Sequence, residues 1–227
     1  MPDHHDLTVI DRDGAIAEAL DAAPGMTRGT ALRRAVVAFG GIGMLGALTA
    51  DNAQAQALSP ANDLRILQLA LAFEQLGAAY YSAALKAGKL RGDVRSYART
   101  ALRDEQDHVK FVADTITKLG GKPHGKPKFD FGRTVTSQAR FLRTAELIEQ
   151  TCVETLNGAG PLVSNKGVVA GAGRLVSVEA RQVAWVRYLR GERPVMGAFD
   201  VGIPASESVR RAKALGVVKS ALPPLPA

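Results

Sequence analysis

The chain has 227 residues, of which 46% are hydrophobic, 5% aromatic and 22% charged, and Ala, Leu and Val dominate the apolar set. This length allows a well-filled core, the scarcity of aromatics argues against a β-sandwich, and the single cysteine, Cys152, excludes an intrachain disulfide. Residues 1–57 hold four Lys or Arg against seven Asp or Glu, leaving 25 basic and 15 acidic groups downstream, a surplus that allows binding to an anionic envelope polymer without specifying any nucleic acid.

The first segment reads as an address. Arg33-Arg34-Ala35-Val36-Val37 opens a stretch without charge as far as Ala50, and Ala53-Gln54-Ala55-Gln56-Ala57 follows it. Paired arginines, a mild apolar run containing Gly40, Gly41, Gly43 and Gly46, and small residues at alternate positions resemble a twin-arginine export signal cleaved after Ala57. About sixteen uncharged residues are too few to span a bilayer comfortably. The expectation is a periplasmic or otherwise extracytoplasmic protein with no stable membrane span after cleavage.

Helix one is predicted from Asp63 to about Lys89, capped by Ser59 or Asp63 and ended by Gly88. Asp93 can cap helix two, which carries apolar residues at 94, 98, 101, 102, 109, 112, 116 and 119 before Gly120-Gly121 stops it. Lys122 to Arg133 is a Gly, Pro and Lys loop. Helix three follows from about Ser137 to Leu156, ended by the Gly158 to Pro161 stretch, and helix four from about Ser164 to Leu189, its start weakened by Gly167, Gly171 and Gly173. Beyond Gly191 a proline-bearing tail with a short helix from Glu207 to Leu215 reads as a surface strap. The few residues between helices one and two force an antiparallel pair. Around sixteen residues between helices two and three reach roughly 50 Å, against roughly 36 Å for a 24-residue helix, so that loop can cross the whole bundle. The predicted organisation is a leader at 1–57, an all-α four-helix bundle at 58–190 with one long crossover between helices two and three, and a tail at 191–227.

Carboxylates fall on the wrong face of each helix. Glu74 shares a stripe with Leu67, Ala70, Leu71, Ala78 and Tyr81; Glu105 and His108 lie among Ala98, Ala101, Leu102, Val109 and Val112. Glu149 lies with Leu142, Ala145, Cys152 and Val153, although Glu146 falls near the same face, and Glu179 lies with Leu175, Val176, Val183 and Val186. Four unpaired carboxylates in one core would cost several kcal/mol each. A divalent metal pair offsets that cost, and Glu74, Glu105-x-x-His108, Glu149 and Glu179-x-x-Gln182 follow the ligand order of di-iron carboxylate bundles, with a glutamine where the second histidine would stand. An amide is a poorer ligand than imidazole for iron or manganese, so one half of the site is expected to bind more weakly. His124 reads as solvated, and Tyr80 and Tyr81 as core residues with satisfied hydroxyls.

At these residues the chain resembles the bacterial ferritin-like domain family that includes desiccation-related proteins, often with twin-arginine signals. The resemblance rests on Leu69 to Tyr81 around Glu74, Tyr97 to Phe111 around Glu105 and His108, Ala145 to Glu149, and Val178 to Gln182. It implies a four-helix di-metal site and a protein that handles iron or manganese ions. Three functions follow as expectations: a weak oxidase or peroxide-consuming enzyme, a stress-protective protein without catalysis, or a polyanion-binding envelope protein. The sequence also leaves a homo-oligomer open.

Overall fold

The computed structural model describes residues 58–226; the paired arginines and the expected cleavage point at Ala57 lie outside them. All regular structure among the described residues is helical: α1 (Pro60–Ala87), α2 (Gly92–Lys118), α3 (Gln138–Ala159), α4 (Lys166–Leu189) and α5 (Ala205–Ala214), with two short 3-10 turns at Gly132–Val135 and Gly160–Leu162. None of these helices is long and apolar enough to cross a membrane.

Local chemistry sets the helix ends. Ser59 caps α1 by accepting from the Asn62 amide at 3.2 Å, with Pro60 in the first turn where its missing N–H costs nothing. Gly88, at φ 67°, closes it in a left-handed conformation that a β-carbon would strain. Asp93 does not cap α2, which begins one residue earlier; it lies in the first turn, where its negative charge is favourable beside the positive end of the helix dipole. Ser137 caps α3, which runs on to Ala159, past the predicted stop at Gly158. Asn165 caps α4 by accepting from the Gly167 and Val168 amides at 2.8 and 3.2 Å.

α1 and α2 form one antiparallel hairpin and α3 and α4 the other. The link between them crosses the full bundle along α1. It starts beside Leu64, which approaches Gly121 closely. Gln68 donates to the Lys122 carbonyl at 2.7 Å and accepts from the His124 amide at 3.0 Å. Further along, Phe131 packs edge-on against Tyr80 at 5.3 Å. His124 is therefore not simply solvated: its ring sits between the carbonyls of Gln68 (2.9 Å) and Gly125 (2.6 Å). The crossover is in turn tied to the tail by the Phe129–Val218 bridge and by Asp130 N–H to the Val217 carbonyl at 2.9 Å. The tail returns to α3, where the Ile203 amide donates to the Glu154 carbonyl at 2.9 Å. The aromatic part of the core, Tyr80, Tyr81, Tyr97 and Phe141, fills the end of the bundle where α1 stops and α3 starts.

Candidate metal centre

Helical phase brings one acid from each of four helices to the middle of the bundle. Glu74, Glu149 and Glu179 are 0% exposed, Glu105 is 2%, Gln182 4% and His108 8%, so water cannot solvate these groups from outside. His108 Nδ1 lies 2.9 Å from Glu179 Oε1 and 3.2 Å from Glu74 Oε2, but the ring is not aligned to give either a directed hydrogen bond. Ligand atoms of Glu74, Glu105, His108 and Glu179 all lie within 4.8 Å of one another. Glu149 stands beside this knot, facing Glu179 and held from behind by Tyr81, which donates to its Oε1. Having spent its proton there, Tyr81 must accept from Tyr97 across a 2.8 Å contact.

With only protein groups to neutralise them, the acids hold on to protons. Burial, then the charge of Glu179, pushes Glu105 and Glu149 well above the ordinary carboxyl range and raises Glu74. Burial works against a charged His108, yet the carboxylates of Glu179 and Glu74 outweigh it and push its pKa up to about 10. The same burial and negative surroundings push the Cys152 thiol well up, and its sulfur lies 3.8 Å from Glu74 Oε1. Cys152 is thus core, as read from the sequence, but core that lines the acid cluster.

These residues fit a divalent cation. Buried oxygens of Glu74, Glu149 and Glu179, the Nδ1 of His108 and both amide atoms of Gln182 lack hydrogen-bond partners, a cost a folded core rarely carries without a ligand. Hard carboxylate oxygens with one imidazole suit iron or manganese better than a soft metal. The set is lopsided: the compact knot holds the one imidazole, His108, while Glu149 stands beside Glu179 and Gln182 offers only a neutral amide.

The structure also sorts the candidates that spacing left open. Glu146 belongs to an ion-pair cluster instead of the centre, bound by Arg187 at 2.5 Å and by Arg190. Two contributors escape notice in the sequence. A β-carbon at Gly77 would stand 2.8 Å from the Glu105 carboxyl, so this glycine makes the space Glu105 occupies. A glycine inside an otherwise regular helix carries a propensity cost that asks for such a reason, and that was the available signal. Tyr97 gives none, because an inward tyrosine looks like any core aromatic.

Residues 62–192 match the family model described as ferritin-like domain. No curated protein matches the chain.

Proposed function

Because the chain belongs to the ferritin-like domain family, we propose that it binds iron or manganese in the bundle core and acts as a weak oxidase or peroxide-consuming protein in stress protection. The observation that supports this reading most is the convergence of Glu74, Glu105, His108 and Glu179 within 4.8 Å in the core, three acids with a single imidazole to offset them. Glu74, Glu105, His108 and Glu179 would hold the tighter ion, and Glu149, Glu179 and Gln182 the weaker half. A bound metal pair supplies one-electron redox steps to oxygen or peroxide. The protein's own work is to exclude bulk water, to hold Glu149 in place through Tyr81, and to surrender the protons of Glu105, Glu149 and His108 as cations load. Export through the twin-arginine leader suits such a protein, since a folded bundle can take its metal before crossing the membrane.

Metal analysis of protein purified without chelators tests the proposal. At least one equivalent of iron or manganese is expected, with loss of most of it in Glu105→Ala; less than one equivalent, unchanged by Glu105→Ala, would mean a vestigial site. Intact mass of the protein from the native envelope tests export, a chain still beginning near Met1 being the contrary result.

A further inference from the structure

The acid cluster has an outer face. Between α2 and α4 lies a groove of about 490 Å³, lined by Asp104, Asp107 and His108 on one side and by Arg181, Gln182 and Trp185 on the other. His108 and Gln182 form its floor, and His108 Nδ1 is within 3.2 Å of Glu74 and Glu179 behind it. The groove is therefore one imidazole away from the buried carboxylates.

Its rim carries two acids, Asp104 one turn before His108 and Asp107 beside it, neither in an ion pair with any described residue. Opposing charges come from the exposed Arg181 at the mouth and, until a cation displaces its proton, from His108 at the floor. Acids on a helix surface usually just face solvent, and alone they would carry no argument. Gln182 changes that, because the residue is 4% exposed, lines the groove, and leaves both amide atoms, Oε1 and Nε2, buried without a hydrogen-bond partner. A primary amide can accept a hydrated cation's charge through its oxygen and hold a shed water through its nitrogen. The surrounding electrostatics make a negative mouth necessary: the chain carries a formal charge of +7, which repels cations at long range unless local carboxylates focus them.

We propose that the α2–α4 groove is the port for divalent cations, with Asp104 and Asp107 as an outer capture site and Gln182 with His108 as the threshold to the inner carboxylates. The inward step rests on the metal-binding function proposed above; the outer site does not.

Co²⁺ is a suitable probe, and Trp185, the chain's only tryptophan and part of the groove wall, is the reporter, since a paramagnetic, absorbing cation quenches indole fluorescence at short range. Stopped-flow mixing of the full chain with Co²⁺ at low ionic strength should give a fast quenching phase from the groove and a slower one as the ion moves inward. The double variant Asp104→Asn, Asp107→Asn should slow the fast phase about tenfold, and salt should erase the difference by screening. Asp93→Asn, on the same helix outside the groove, should leave both phases as they are. Gln182→Leu should keep the fast phase and retard the slow one. Glu105→Gln with Glu179→Gln should abolish only the slow phase. A wild type with a fast phase alone defeats inner metal binding but supports the outer site. No fast phase in the wild type, or unchanged rates in the Asp104, Asp107 double variant, overturns the port.

Discussion

Gln182 stands one helical step from Glu179, on the face where the ligand order would place a second imidazole. Gln182→His should therefore strengthen the weaker half of the centre, and manganese titration should pass from two separated steps toward one with higher total occupancy; an isotherm identical to wild type would show that Gln182 serves the packing alone. Gly77 makes a complementary case. Alanine normally gains up to about 1 kcal/mol over glycine inside a helix, but here its β-carbon would meet the Glu105 carboxyl at 2.8 Å. Gly77→Ala should lower metal affinity at least tenfold, as displaced supporting contacts do, whereas Gly173→Ala, at an exposed position of α4 with nothing near its β-carbon, should stabilise by about 0.5–1 kcal/mol in a urea melt. Glu74, Glu105, His108 and Glu179 were legible because each breaks the apolar phase of its own helix. Gly77 offers only the cost of a glycine inside a helix as a signal, not its purpose, which is to leave space for a residue on another helix.

Among the elements, the starts of α1 and α4 are tied by one side chain. Asp63 is 1% exposed and accepts from the Ser164 amide at 2.8 Å, the Ser164 hydroxyl at 2.7 Å and the Asn165 amide at 2.9 Å. Asp63→Ala would leave those donors unpaired, and a loss of about 3 kcal/mol in chemical denaturation is expected, within the range for stranded buried polar groups. From the sequence, Asp63 was one of two possible caps for its own helix. Its actual partners lie about a hundred residues on, and spacing within a helix cannot report that. The same limit applies at α3, where only Arg187 of α4 and Arg190 just past its end decide that Glu146 faces an ion pair and Glu149 the centre. Helix order, hairpins and the full-length crossover were legible, since they follow from periodicity, loop length and reach. α3 runs past the glycine expected to end it, because Gly158 lets the backbone around Gly202 and Ile203 approach, a constraint set by the tail.

For the molecule as a whole, the buried cluster makes metal-free stability depend on pH in an unusual direction. Glu74, Glu105 and Glu149 are raised above 4.5, and His108 is raised from 6.5 to about 10. The folded chain thus binds more protons than the unfolded one, so this contribution is complete at acid pH and is lost as pH rises. For His108 the loss falls between 6.5 and about 10. Glu207, held down to about 2 by Arg210 and Arg211, acts in the opposite sense but lies at the surface, where solvent screens it. Calorimetry of metal-free protein should show the melting temperature falling steadily from pH 5 to pH 9, while metal uptake should strengthen over that range and release protons; a melting temperature that climbs toward neutrality would contradict the protonated cluster. Cys152 adds a last consequence. The chain's only thiol is sealed beside Glu74, so a thiol reagent can reach it only in the moments when α3 parts from α1. Its alkylation rate is then a clock for the rare openings of the bundle, built into the protein without any added label.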